Sequence, residues 1–259
     1  MSWLVYGIVF SRSREHTSGH SPLGLPGGVD AAPVRLIEEG GLGAAVSWVE
    51  SPDVTPNVAR ALSYGKVVEG LHADRVVLPM RYGCLFEEES QVVELLRVHG
   101  EEYAAALRGL DGYVEMGVRL LLPAGSSVRC RSAGVDIEGA AGLPAPRASW
   151  QAGSAYLIGR AVHYAREEEA VRGLAAVMER LRGALGGLAK RIETDCGARA
   201  DRGLGSLYFL VRREAVESFR QAFRRIERIE RAEPARLLLS GPWAPYNFVA
   251  GEGRGKQHG

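Results

Sequence analysis

Few residues in this chain have the types and spacings that catalysis or metal binding requires. His16 and His20 stand four positions apart, which suits a metal ion when both lie on one helix face. The residues between them are Thr-Ser-Gly, so a solvated loop is the simpler reading. Cys84 follows Arg81, Tyr82 and Gly83. The arginine could lower the thiol pKa, but a buried structural thiol is the default for a cysteine beside Leu85 and Phe86. Gly41-Leu42-Gly43-Ala44-Ala45-Val46 starts like a dinucleotide-binding loop, yet lacks the third small residue, and Pro52 leaves no room for the helix. Gly24-Leu25-Pro26-Gly27-Gly28 has no Gly-Lys-Ser/Thr continuation and is not a P-loop. No Ser/His/Asp or Cys/His set and no carboxylate pair stands out. The run from Arg212 to Arg231 interleaves seven arginines with four glutamates at spacings that allow i,i+4 pairs, which reads most simply as a solvated helix face. Without exposed aromatic interleaving it makes a poor nucleic-acid platform. The reading is therefore no catalytic residues, no cofactor and no metal.

Charge and composition narrow the partners. There are 32 Lys+Arg against 31 Asp+Glu, a formal net charge of +1, so no overall field draws nucleic acid or an acidic membrane. Only three of the basic residues are lysines (Lys66, Lys190, Lys256), a bias expected of a GC-rich genome. The three cysteines Cys84, Cys130 and Cys196 are odd in number and far apart, which argues against a disulfide framework and for a reducing cytoplasm. The apolar run Trp3–Phe10 has no basic residue before it and ends at Ser11-Arg12, unlike a signal peptide. No stretch approaches the roughly 18 consecutive apolar residues of a membrane span. At 259 residues the chain has room for one large or two small domains.

The elements follow from periodicity. Residues 3–10 read as a buried strand, and 11–32 as a long Ser/Gly/His/Pro surface loop. Residues 34–37 and 44–49 flank Gly40-Gly41 as a hairpin. Thr55-Pro56 opens a helix as N-cap and first-turn proline, with Val58, Ala61, Leu62, Val68 and Leu71 as its apolar face. Residues 75–79 form a strand whose proline marks an edge or a bend. Val92, Leu96, His99, Tyr103, Ala106 and Leu110 make a helical stripe, bent or broken at Gly100. Residues 113–122 form a strand with Val114, Met116, Val118 and Leu120 on one face, and 139–149 read as loop. Val171, Leu174, Met178, Leu181, Leu185, Leu188 and Ile192 alternate spacings of three and four, a heptad seam in a long helix over about 153–196. Gly183, Gly186 and Gly187 weaken the case for one straight rod. The seam is covered either by its own domain or by another chain. Residues 207–211 form a strand, 214–231 an amphipathic helix on Val216, Phe219, Phe223 and Ile226, and 236–239 a final strand.

The fold class is thus α+β. Residues 1–111 form an N-terminal α+β domain and 112–250 a C-terminal ferredoxin-like one, read as β-α-β-α-β; 251–259 is a disordered tail. Two segments depart from the background. One is Val77-Leu78-Pro79-Met80-Arg81-Tyr82-Gly83-Cys84-Leu85-Phe86. The other is Leu238-Leu239-Ser240-Gly241-Pro242-Trp243-Ala244-Pro245-Tyr246-Asn247-Phe248-Val249, which the prolines should take out of the sheet as a rigid extended or turn segment. Its rings either lock the tail onto the core or form a patch for a partner.

These segments, in this order, resemble the gas vesicle protein L/F family (GvpL/GvpF). The opening Tyr6-Gly7-Ile8-Val9, the V-L-P-x-R-F/Y-G motif at Val77 to Gly83, the Val-Glu-x-Gly-Val strand at Val114 to Val118 and the closing G-P-W-P-P-Y-x-F motif all match. In this chain the first motif supplies Leu78, Pro79, Arg81, Tyr82 and Gly83, and the last Gly241, Pro242, Trp243, Pro245, Tyr246 and Phe248. Ala244 stands where proline is usual, Met116 where tryptophan is common and Cys84 where a small hydroxyl residue is frequent. The resemblance implies a non-enzymatic accessory protein of gas vesicle formation, from a non-halophilic bacterium, with two α+β domains, the second a modified ferredoxin-like one. It implies binding to the small hydrophobic shell protein and to other accessory proteins during nucleation or assembly, and residence in the cytoplasm or as a minor vesicle component. The alternative is a small-molecule enzyme or sensor on a ferredoxin-like scaffold, with Cys84 or His163 in a pocket.

Overall fold

A computed structural model describes residues 1–11, 21–22, 25, 27–50, 57–121, 172–195, 204–230 and 236–249. His16, His20, Pro52, Cys130, His163, Cys196, the loop expected over 139–149 and the tail 251–259 lie outside the described residues. The described elements form a mixed α/β structure with two antiparallel sheets. Contacts group the chain into two units: Met1–Met116 with Phe209–Val216 and Ser240–Gly259, and Gly117–Tyr208 with Glu217–Leu239.

The first sheet is built around β1 (Ser2–Phe10), apolar after Ser2 and buried on both faces over Leu4–Val9. On one side it pairs antiparallel with β4 (Leu42–Val49), with a bulge between Val5 and Gly7. On the other it meets β5 (Val77–Pro79) and β6 (Leu85–Phe86). β3 (Arg35–Glu39) joins β4 as the expected hairpin, with Gly40 and Gly41 at φ 58° and 82°. Consecutive positive φ values are what a two-residue hairpin turn needs and what glycine supplies without strain. β2 (Ser21–Pro22) pairs with β3, giving the order β2-β3-β4-β1-β5. Pro79 ends an edge strand, as its missing N–H predicts.

Helix α1 (Val58–Asp74) packs on the face formed by Leu4, Tyr6, Val9, Leu36, Ala45 and Val49. Its cap is Asn57, whose side chain accepts the Arg60 N–H at 2.8 Å; Thr55 and Pro56, expected in that role, precede it outside the described residues. The expected apolar face is corrected as well. Val58 and Leu62 are 77% and 61% exposed, whereas Tyr64, Val67, Val68 and Leu71 are buried. At 100° per residue the two sets fall on opposite sides, and the one carrying the large aromatic ring faces the sheet. The alternate residues Val5, Ile8, Ile37, Ala44 and Val46 belong to the other face and are buried too. There α2 (Glu89–Val98) and α3 (Gly100–Leu110) pack, separated at His99, whose φ of −103° and ψ of 12° break the helix one residue before the expected glycine. Gln91 accepts the Glu87 and Glu88 N–H groups and fixes where α2 starts.

The second sheet contains β7 (Tyr113–Leu121), β8 (Ala189–Asp195), β9 (Leu204–Arg212) and β10 (Arg236–Trp243) in the order β10-β7-β9-β8. Val114, Met116, Val118 and Leu120 of β7 are buried on one face, as the alternation predicts. Helix α4 (172–185) carries the buried Leu174, Val177, Met178, Leu181 and Leu185. It lies against β9 at Gly205, where a Cβ would come within 2.8 Å of Met178 Sδ. Helix α5 (Val216–Glu230) buries Phe219 and Phe223.

Two sequence expectations fail in this sheet. The helix read over about 153–196 ends at Leu185: Gly186-Gly187-Leu188 turn as a 3₁₀ segment and Ala189–Asp195 run as β8, so Leu188 and Ile192 are not seam residues. Residues 153–171 of that reading, Val171 included, lie outside the described residues. The glycine pair outweighs the heptad spacing that continues past it by coincidence. The element order is therefore β-α-β-β-α-β, with one more strand than the pattern showed. Second, the chain does not leave the sheet at Ser240; β10 continues through Gly241-Pro242 to Trp243. An edge strand can hold a proline because no neighbour needs its N–H.

Candidate functional site

Residues of four motifs far apart in sequence, the third through its Val114-Glu115-Met116 part, meet inside the first unit. The opening motif lies on β1 and the mid-chain motif on β5, and the two are paired: Gly7 faces Pro79, Ile8 faces Leu78 and Val9 faces Val77. Leu78 and Pro79 are buried; Arg81 points to solvent, and Tyr82 and Cys84 are half-buried. The chain turns back at Tyr82-Gly83, with Gly83 at φ 92° and the Cys84 N–H donating to the Arg81 carbonyl. The Val5 N–H donates in turn to the Cys84 carbonyl at 3.0 Å, so the turn is pinned to β1.

Tyr64 of α1 holds this junction from below. Its hydroxyl donates to the Met80 carbonyl at 2.7 Å and lies 3.0 Å from the Tyr6 carbonyl. Its ring is 5.0 Å from that of Tyr6 and 5.2 Å, edge-on, from that of Tyr82. Burial pushes the Tyr64 pKa far up, and the neighbouring Tyr246, Cys84, Tyr6 and Tyr82 raise it further. The phenol therefore stays protonated and acts as a donor, not a base. Tyr6 accepts the Val29 N–H at 2.9 Å, and burial raises its pKa also. The Tyr82 hydroxyl is buried without a hydrogen-bond partner among the described residues.

The closing motif joins the same cluster. Ala244 is fully buried in the core that contains Tyr6, Tyr64 and Val77. Phe248 and Pro245 are buried beside it, and the Tyr246 N–H closes a turn on the Ala244 carbonyl at 2.8 Å. Glu115 of β7 grips the segment from inside: its carboxylate accepts the Asn247 N–H at 2.8 Å and the Asn247 side-chain amide at 2.7 Å. Burial raises the Glu115 pKa and the two Asn247 bonds pull it back down. Gly241 sits at φ 107°, where a Cβ would approach the Glu115 carbonyl oxygen to 2.6 Å. Within this anchored frame Trp243 and Tyr246 remain 41% and 40% exposed. The rings thus divide: Phe248 locks the tail and Trp243 faces solvent. Tyr246 is partly exposed, and burial first, then the Glu69 and Glu115 carboxylates, raise its hydroxyl pKa above the ordinary value.

The contacts at this junction are hydrogen bonds and ring packing that tie distant segments together. Among the described residues no three His, Cys, Asp or Glu side chains form a metal cage, and no helix is long and apolar enough to cross a membrane.

Comparison with known proteins decides the lineage. The family model described as gas vesicle synthesis protein GvpL/GvpF matches residues 2–250. This chain belongs to the GvpL/GvpF family. A gas vesicle protein F of a Streptomyces species is 28% identical over 256 residues, covering 96% of this chain and all of that one. A gas vesicle protein L of the same organism is 28% identical over 254 residues, covering 86% of this chain and 85% of that one. The crystal structure of GvpF from Anabaena superposes with a TM-score of 0.66 at 19% identity, covering 99% of both chains. That of GvpF from Microcystis aeruginosa gives the same score at 16% identity, covering 96% of this chain and 99% of that one. Those two likenesses share the fold; the family match carries the role in gas vesicle formation.

Within the GvpL/GvpF frame the departures have physical readings. Ala244 fills a buried position that closes a turn, and its small side chain leaves that turn intact. Met116 lies against Gly241, whose added Cβ would come within 3.1 Å of its sulfur. Three residues of the cluster escaped the sequence reading as site members: Tyr64, Glu115 and Asn247. Tyr64 was legible from its place three and four residues before Val67 and Val68. Glu115 was legible as an acid within the apolar strand motif. Asn247 offered no signal, because its role depends on reaching a carboxylate far away in sequence.

A second buried contact in the same unit is pH-sensitive. Arg213 donates to the His72 carbonyl at 3.1 Å and lies 3.2 Å from its Nε2. Burial, and then the Arg213 charge, lower the His72 pKa from 6.5 to about 4. The unfolded chain takes up that proton near pH 6.5 and the folded chain only near 4. The stability is complete above 6.5 and is lost as pH falls toward 4. The stability gap between wild type and His72→Gln should narrow by about 2 kcal/mol across that window, measured by urea unfolding at each pH. A constant gap would show that the fold does not hold the His72 pKa below its unfolded value. Glu115, with its raised pKa, works in the opposite sense and gains stability as its proton is taken up.

Proposed function

We propose that this protein is an accessory factor that binds the small hydrophobic shell protein of the gas vesicle, and other accessory proteins, during nucleation and assembly, and stays as a minor vesicle component. Family membership supplies the process. What supports binding is one observation: the closing segment is fixed by Glu115, Ala244, Pro245 and Phe248, yet holds Trp243 and Tyr246 at the surface. Rigid, partly exposed aromatic rings lose little entropy on binding and are favoured anchors at interfaces. We also read the second sheet and its two helices as ferredoxin-like; the β-α-β-β-α-β element order and the strand order β10-β7-β9-β8 support this.

Trp243→Ala should fold, with an unchanged circular dichroism spectrum and a melting temperature within a few degrees. It should lose capture of the purified shell protein by about tenfold or more. Failure of the variant to fold would make Trp243 a core lock instead. Deleting the gene should abolish refractile, buoyant vesicles, and normal flotation of the deletant would overturn the assembly role.

A further inference from the structure

The edges of the two sheets are protected unequally. A strand at the end of a sheet presents main-chain N–H and C=O groups that can pair with another chain, and proteins blunt such edges with short strands, proline or charge. The first sheet ends on one side in β2, two residues long and closing on Pro22. On the other side it ends in β5, three residues long and closing on Pro79, with the two-residue β6 beside it. The second sheet ends on one side in β8, whose seven residues include Lys190, Arg191, Glu193 and Asp195. Its other end is β10, eight residues long, which from Leu237 to Gly241 holds neither a charge nor a proline.

Among the described residues β7 is the only strand neighbour of β10. Arg236 stands at the start of β10, and the exposed Arg119 belongs to β7, on the inner side. Leu237 is buried and Leu238 is 53% exposed, so the strand carries an apolar side chain at the surface beside its open edge. Such an edge selects its occupant by main-chain hydrogen bonding, which requires an extended segment. Leu238 selects further: a charged side chain laid on it would lose hydration and gain no partner, whereas an apolar one gains contact. The same strand runs on to Trp243, the exposed ring assigned above to shell-protein binding.

We infer that β10 takes up an extended, apolar segment of the hydrophobic shell protein as an added outer strand, with main-chain hydrogen bonds along Leu237–Leu239 and an apolar side chain laid on Leu238. This deepens the shell-protein reading and rests on it: Trp243 anchors the partner, and the edge sets the direction in which the captured segment lies.

The test follows main-chain amide hydrogen exchange, by mass spectrometry after peptic digestion, in the full chain alone and with the purified shell protein. Capture should slow exchange in peptides covering residues 236–241 by about tenfold and leave β8 unchanged. Leu238→Lys charges the edge at an exposed position; it should keep the wild-type circular dichroism spectrum and weaken capture about tenfold. Lys190→Glu, a charge reversal on β8, should leave capture as it was. Capture that Trp243→Ala abolishes but that leaves exchange in β10 unchanged, or that Leu238→Lys does not weaken, would overturn the added strand while the shell-protein reading stands. No capture by the wild type would overturn both. Self-association of the chain that Leu238→Lys abolishes would also overturn the inference, by assigning the edge to a second copy.

Discussion

Replacing Gly241 with alanine should cost about 3–5 kcal/mol, a large share of the roughly 5–15 kcal/mol that holds a protein of this kind together. Two causes act on one atom. The φ of 107° lies in a region that residues with a Cβ rarely adopt, which costs about 1–3 kcal/mol. The Cβ itself would sit 2.6 Å from the Glu115 carbonyl oxygen, a backbone atom of a buried strand that cannot swing aside like a side-chain tip. Relief requires β10 to move off β7 at the point where the closing segment is anchored. The urea midpoint of Gly241→Ala should fall accordingly, with the m-value preserved if the fold survives. Gly65→Ala is the control: Gly65 lies in α1 with nothing within 4 Å of its would-be Cβ, and there the change should stabilise by about 0.5–1 kcal/mol. A Gly241→Ala protein within about 1 kcal/mol of wild type would mean that the strand end is free to shift, and the rigid-frame argument would fail with it.

Glu115→Ala should release the closing segment from inside, at a cost of about 2–3 kcal/mol. The carboxylate accepts two donors of one residue, the main-chain and side-chain N–H groups of Asn247. Truncation removes the acceptor of both, one of them a backbone group with no alternative partner in the strand ladder. Asn247→Ala removes only the side-chain donor and should cost less, about 1 kcal/mol. The double variant should be less destabilised than the sum of the two, with a coupling energy of about 1 kcal/mol. The loosened segment should also be cut by protease after Trp243 or Tyr246 at concentrations that leave the wild type intact. Additive stabilities and unchanged protease resistance would show that Phe248 and Ala244 hold the segment without the carboxylate.

Local pattern was enough for elements whose apolar period agrees with their environment. β1, the Gly40-Gly41 hairpin, the alternating face of β7 and the Phe219/Phe223 face of α5 follow from residue type and spacing. β8 was illegible because it is an edge strand, largely exposed on both faces, so it carries no alternation; Leu188 and Ile192 then continued a heptad count by accident. α1 misled because two exposed apolar residues, Val58 and Leu62, imitate a stripe that only packing could rule out.

The sequence alone determined the lineage. Motif residues such as Leu78-Pro79 and Gly241-Pro242-Trp243 are uncommon combinations at set intervals, and they name a family without reference to any contact. Tertiary structure alone decided what those residues do for one another. Val77 and Ala244 share a core, Tyr64 ties Met80 to Tyr6, and Glu115 grips Asn247, because β1 and β7 bring distant segments within hydrogen-bond reach. Which rings are buried and which are presented is settled only there. Exposure depends on what packs against a side chain, and in this chain those neighbours come from segments that the local sequence does not contain.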